Sequence, residues 1–146
     1  MIRVGLYGGS GYAGQRLAYH LARHSEVETV FVTSRHDKGK RMSDLYGSLG
    51  GLCDLPFIDP AGIDDIPVDL IFACTPDQTS MRVVPGFLEK GIAVIDLAGD
   101  FRMRTGEAYE RWYGEPHVAP AFIGQAVYGL TELNREWIAG SRFVSN

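Results

Sequence analysis

Glycines crowd the N-terminus in a pattern suited to holding a phosphate. Gly9-Ser10-Gly11-Tyr12-Ala13-Gly14 fits G-x-G-x-x-G, and Gly8, Gly11 and Gly14 also fit G-x-x-G-x-x-G. In such a loop one glycine permits the tight turn, one lets a pyrophosphate approach the main chain, and one lets the next helix pack closely on the strand. That helix offers unpaired N–H groups and the positive end of its dipole to the phosphates. Glycine turns are common, so the context carries the reading. The loop follows an apolar run, Met1 to Tyr7, and opens a helical pattern in which Tyr12, Leu17, Leu21 and Ala22 share a face.

A second group with chemistry in it, Thr33-Ser34-Arg35 followed by Lys38, Lys40 and Arg41, closes a β-rich run from Val27 to Thr33. A dinucleotide site for NAD usually has Asp or Glu at the end of its second strand, accepting hydrogen bonds from the ribose 2′-OH. Here a hydroxyl and a guanidinium stand in that place, and they would hold a 2′-phosphate that a carboxylate would repel. Four of the chain's 14 lysines and arginines fall within residues 35–41, as a local anion site or as a solvated basic loop. The cofactor these residues imply is NADP(H).

Regular elements must bring the two groups together. Val68 to Cys74 is a nearly continuous apolar run stopped by Thr75-Pro76, as expected of a strand buried on both faces. Ser80 to Lys90 reads as a helix, with Ser80 as N-cap and Gly91 as the stop. Ile92 to Leu97 is another buried strand, and Arg142 to Asn146 a last one. Ser34 to Gly51 reads as loop with one short helix. Strand and helix alternate, which predicts an α/β fold, a Rossmann-type doubly wound, mostly parallel sheet with helices on both faces. No linker, repeat or low-complexity tract divides the 146 residues, so they read as one domain.

Composition narrows the function. A net charge of −4 argues against a general nucleic-acid binder, and the apolar runs are far too short for a bilayer. The N-terminus lacks the features of a secretory signal, which predicts a cytoplasmic location with Cys53 and Cys74 as reduced, apolar residues. Neither cysteine has a partner at metal-ligand spacing, so no metal site is assigned. A strand thiol such as Cys74, without a base, is a poor nucleophile.

Beyond the glycine loop, Thr33-Ser34-Arg35 and Gly39-Lys40, three more specific blocks are present: Ile95-Asp96-Leu97-Ala98-Gly99-Asp100-Phe101-Arg102, Tyr109-Glu110-Arg111-Trp112-Tyr113-Gly114, and Val127-Tyr128-Gly129-Leu130-Thr131-Glu132-Leu133-Asn134-Arg135-Glu136. With them nearly the whole chain resembles the N-acetyl-γ-glutamyl-phosphate reductases of arginine biosynthesis, in the semialdehyde dehydrogenase superfamily. The resemblance implies NADPH-dependent reduction of an acyl phosphate to an aldehyde through a cysteine thioester, by an enzyme that assembles as a homo-oligomer. It implies contacts from Gly8, Ser10, Gly11, Tyr12 and Ala13 to the pyrophosphate and from Ser34 and Arg35 to the 2′-phosphate. Ala73, Cys74, Thr75 and Pro76 would border the ribose and nicotinamide. Arg102 resembles the arginine aimed at the acyl phosphate, the alternative being an ion pair with Asp96 or Asp100.

In that family the nucleophile stands in a Pro-Gly-Cys turn after a strand ending in Asn. The resemblance therefore puts the cysteine just after Asn146 and no catalytic residue in residues 1–146, the NAD(P)-binding domain of a two-domain reductase. The chain departs from the family's pattern in Thr75-Pro76-Asp77-Gln78, where Leu-Pro-His-Gly is common, in Thr131 for Pro, and in Ala98-Gly99 for Ser-Ala. These leave open a sister reductase acting on aspartyl or aminoadipyl phosphate, or a stand-alone NADP-binding or sensing protein. His117 reads as structural or catalytic. Tyr109, Trp112 and Tyr113 have helical spacing suited to a core or interface, and Glu132 and Glu136 fit a solvated face or a contact with a second domain.

Overall fold

The β-branched and aromatic residues of VETVFVT favour a pleated, half-buried backbone, and they form the second strand of a parallel ladder. The computed structural model describes residues 1–146, which fall into two compact units, Met1–Cys74 and Thr75–Asn146. The first holds strands β1 (Ile2–Tyr7), β2 (Val27–Thr33), β3 (Phe57–Ile58) and β4 (Leu70–Ala73). They run parallel in the order β3-β2-β1-β4. Parallel neighbours need crossover connections. Helix α1 (Tyr12–Leu21) links β1 to β2, and a segment carrying α2 (Met42–Leu45) and a 3₁₀ turn links β2 to β3.

The core of this unit gathers Val4, Leu6, Ala18, Leu21, Val32, Met42 and Phe57. Cys53 joins it, its sulfur 3.8 Å from that of Met42, and burial pushes its thiol pKa up. The ladder between β1 and β2 slips register between Val4 and Gly5. A Cβ on Gly5 would fall 2.3 Å from Cζ of the buried Phe31 ring, so this glycine is fixed by the ring packed over the strand.

The second unit has strands β5 (Ala93–Asp96), β6 (Val127–Tyr128) and β7 (Phe143–Ser145), parallel in the order β5-β7-β6. Its helices are α3 (Ser80–Glu89), α4 (Gly106–Tyr113), α5 (Pro120–Ile123) and α6 (Thr131–Ala139). Phe101 meets Phe143 edge to face at 4.9 Å, with Met81, Val84, Val94 and Ile123 buried in the same unit. Helix α4 is delimited by its own sequence. Thr105 caps it by accepting from Ala108 N at 3.1 Å, and Gly114 ends it in the left-handed region at φ +77°. Helix α6 bends at Asn134 and buries none of its residues.

Three expectations change. Ser80 is not the N-cap of α3. That position is Thr79, whose side chain caps nothing, while Asp100 accepts from Met81 N at 2.9 Å. A carboxylate is the stronger acceptor for helix amides, and the Ser80 hydroxyl turns inward instead. The three aromatic residues of α4 part company: Tyr109 is fully buried, Tyr113 stacks on it at 4.5 Å, and Trp112 stands in solvent. The run Val68 to Cys74 yields a strand of only four residues, Leu70–Ala73, and Asp69 instead forms a two-point ion pair with Arg3.

Candidate cofactor site

Strand β1 ends at Tyr7 and the chain turns at Gly8, whose φ of +80° is the left-handed region that favours glycine. The turn is clamped to the end of β2: Gly8 N donates to Thr33 Oγ1 and Gly9 N to Thr33 O, both at 2.9 Å. Ser10 Oγ reaches Ser34 Oγ at 3.0 Å, and Tyr46 donates its hydroxyl to Ser10 O at 2.7 Å. Two glycines are required by packing. A Cβ on Gly9 would lie 2.4 Å from Val32, and one on Gly14 would lie 2.3 Å from the Gly9 carbonyl.

Gly11 differs from them, because a Cβ there would meet nothing within 4 Å. It is the N-cap of α1 and offers no side-chain cap. The first-turn amides of Tyr12, Ala13 and Gly14 therefore point outward, as helix geometry requires. Open space over a bare helix N-terminus is the cradle a pyrophosphate fits.

The basic loop is less positive than its composition. Lys40 pairs with Asp37 at 2.9 Å, Lys38 with Asp59 at 3.4 Å, and Arg41 with Asp54 at 2.6 Å. Arg35 alone of the four cations forms no ion pair. Ser34 is buried beside it and accepts from Asp37 N at 3.1 Å. The Asp37 carboxylate also lies 3.3 Å from Ser34 Oγ. Lys40 holds that carboxyl below its ordinary pKa and offsets the negative charge next to the serine. Tyr46 and Asp37 escaped the sequence reading. Asp37 was visible within the basic run, whereas nothing in the sequence marks Tyr46 as a brace.

Ala73 is buried at the end of β4, and Cys74 N donates to Tyr7 O at 2.8 Å. Thr75 opens the second unit. Its buried Oγ1 has no hydrogen-bond partner, a state that costs about 1–3 kcal/mol unless a ligand meets it. Gln78 has the one positive φ outside glycine, +68°, at the position where the resembled family has glycine. Gln78 N donates to Asp100 Oδ1 at 2.8 Å. The neighbouring replacement is explained as well: a Cβ on Gly99 would fall 2.1 Å from the Tyr113 hydroxyl.

Arg102 forms no ion pair with Asp96 or Asp100. Its guanidinium donates to main-chain carbonyls, Asn146 O at 2.8 Å and Ala98 O at 3.5 Å. It lines a cavity of about 370 Å³ together with Arg104, Tyr128 and Asn134. Two arginines give this cavity a positive wall suited to an anion. Arg104 and Asn134 were not singled out from the sequence, although Arg104 stands only two residues past Arg102.

His117 is buried. Its Nδ1 accepts from Ala119 N at 3.1 Å, and Phe101 and Tyr109 meet its ring edge to face at 4.9 Å each. Burial lowers its pKa, and its buried Nε2 has no hydrogen-bond partner. Glu132 and Glu136 are exposed. No three His, Cys, Asp or Glu side chains converge as metal ligands, and no helix is long and apolar enough to cross a membrane.

Parallel strands, crossover helices and a glycine loop opening α1 define a Rossmann-type nucleotide-binding protein. The semialdehyde dehydrogenase NAD-binding domain matches residues 3–141, and the chain belongs to that family. N-acetyl-gamma-glutamyl-phosphate reductase of Nitrosospira multiformis is 40% identical over 146 residues, covering 100% of this chain and 43% of the relative. The enzyme of that name from Alkalilimnicola ehrlichii is 44% identical over 147 residues, with 100% and 43% covered. The chain thus spans less than half the length of these relatives. Among solved structures, aspartate semialdehyde dehydrogenase II of Vibrio cholerae superposes with a TM-score of 0.72 at 19% identity, covering 100% of this chain and 41% of that one. Aspartate semialdehyde dehydrogenase with NADP from Candida albicans gives 0.62 at 21% identity, over 73% and 32%. At these identities the structures speak for the fold alone.

Proposed function

We propose that this chain is the NADP(H)-binding part of an N-acetyl-γ-glutamyl-phosphate reductase, an oxidoreductase of arginine biosynthesis. The observation that carries the cofactor choice is Arg35, the unpaired guanidinium next to the buried Ser34 hydroxyl. A 2′-phosphate there gains charge-assisted hydrogen bonds, and NADH would leave Arg35 unused. Gly8, Ser10, Gly11, Tyr12 and Ala13 take the pyrophosphate at the bare N-terminus of α1. Ala73, Cys74, Thr75 and Pro76 face the ribose and nicotinamide, with the orphaned Thr75 hydroxyl as a donor.

Bound NADPH supplies a hydride. The residues of this chain hold the cofactor, and Arg102 with Arg104 presents positive charge to the acyl phosphate and its departing phosphate. The thiol that forms the thioester is assigned to the part of the enzyme that matches the remaining length of the relatives. The same reading brings a cytoplasmic, homo-oligomeric whole enzyme.

Titration of the chain with NADPH and NADH tests the cofactor choice. NADPH should bind at least about tenfold more tightly, the worth of one charge-assisted hydrogen bond or more. Arg35→Ala should remove most of that preference and leave NADH binding nearly unchanged. Equal affinity for the two cofactors in the native chain sinks the assignment.

A further inference from the structure

Ser80 lies between two carboxyl groups. Its Oγ is 2.9 Å from Asp96 Oδ2 and 2.9 Å from Asp100 Oδ2, and all three residues are buried. A hydroxyl carries one hydrogen, so it donates to one carboxyl only, and the second contact needs a hydrogen supplied by the other partner. Asp100 is poorly placed to supply it. Its Oδ1 accepts from Gln78 N and the Tyr109 hydroxyl, and its Oδ2 accepts from Met81 N. Asp96 accepts from Ala98 N through Oδ1 at 3.0 Å, and its Oδ2 meets only Ser80.

We propose that Asp96 is a buried neutral acid that donates through Oδ2 to Ser80, which passes its own hydrogen to an ionised Asp100, so that the two carboxyls share a single negative charge. Asp96 and Ser80 are then positioning residues. They direct the Asp100 charge onto Gln78 N and Met81 N, which fixes the left-handed turn at Gln78 and caps α3. This relay does not depend on which cofactor the chain binds.

The surroundings agree with that proton count. Asp100 and Arg102 face Asp96 from the loop after β5, and α3 contributes Ser80. The loop before α3 brings Asp77, α4 brings Tyr109 and Tyr113, and His117 packs on Tyr109. The adjoining strand β7 contributes the neutral, buried Ser145. Burial raises the Asp96 carboxyl to about 7, with the Asp100 charge adding to the rise and Ala98, Ser80 and Arg102 opposing it. The folded pKa is above the unfolded one, so this group favours the folded state most fully below pH 3.8. That contribution is lost as pH climbs from there to about 7.

Infrared difference spectroscopy on the native chain tests the proposal directly. A protonated-carboxyl C=O band should be present at about pH 6 and bleach with a midpoint near neutrality. It should be absent from Asp96→Asn at about pH 6 and above, where ordinary carboxyls are ionised. The amide of that variant still donates to Ser80 and accepts from Ala98, so it should fold. Its melting midpoint relative to the native chain should rise by on the order of 5 °C between about pH 5 and pH 7.5. Taking the difference cancels His117, whose burial works in the opposite direction. A native chain without the band, or a difference that stays flat with pH, overturns the proposal; the native band decides the matter should the variant not fold.

Discussion

Two turns, one in each unit, are built by opposite means. The Gly8–Gly14 turn of the first unit contains no charge. Its amides donate to Thr33, its hydroxyl meets Ser34, and its close approaches are Gly9 against the Val32 side chain and Gly14 against the Gly9 backbone. The Thr75–Thr79 turn of the second unit is held by carboxylates: Asp100 takes Gln78 N and Asp77 takes Gly99 N. The first turn keeps its outward surface free for a negatively charged ligand. The second places the buried Asp100 carboxylate against its own amides and tolerates a left-handed glutamine because Asp100 holds it. The first turn is fixed by shape and the second by charge.

Breaking the shape-fixed turn should have the largest effect. In Gly14→Ala the new Cβ meets backbone that cannot swing aside, so stability should fall by about 3 kcal/mol, the upper end for overpacking, and NADPH binding should vanish. Chemical denaturation and cofactor titration measure both. Gly11→Ala sharpens the contrast, since packing does not oppose it: stability should stay within about 0.5 kcal/mol while NADPH affinity drops. Loss of stability in both variants would mean that Gly11 is structural as well.

Breaking the charge-fixed turn comes next. Asp100→Asn removes the acceptor charge from two amides and a tyrosine, which should cost about 2 kcal/mol. Amide NMR shifts of Gln78, Met81 and Tyr109 should move, and those of Gly8 to Gly14 should not. Movement of both sets would undo the comparison. The smallest effect is a gain. Gln78→Gly relieves a left-handed side chain worth about 1–2 kcal/mol, less the entropy cost of glycine of about 0.5–1 kcal/mol. Denaturant midpoints should show a modest stabilisation, and a loss would mean that the glutamine side chain makes a contact of its own.

The same contrast explains what could be read from the residues. The glycine turn was legible because its geometry is local: spacing within seven residues carries the turn, the close approach and the helix start. β1, β2, α1 and α3 were legible from apolar period and from Gly91. Ser80 misled because N-cap preference is a local rule, and the acceptors that displaced it lie 16 and 20 residues away. The basic run misled similarly, since Lys38 and Arg41 found aspartates 21 and 13 residues away that spacing does not announce. The two-residue strands β3 and β6 are too short to show a period, and they exist only because a neighbouring strand pairs with them.

Helix α6 carries a consequence for how the molecule moves. Its nine residues bury nothing, its middle is bent at Asn134, and Leu133 and Trp137 are 77% and 73% exposed. A helix this short is unstable in water by itself, and packing normally supplies the difference. Its amides should therefore exchange with deuterium orders of magnitude faster than those of β1 or β5, opening while the sheet stays closed. Two large exposed apolar side chains are thus carried by a segment expected to open while the sheet stays closed.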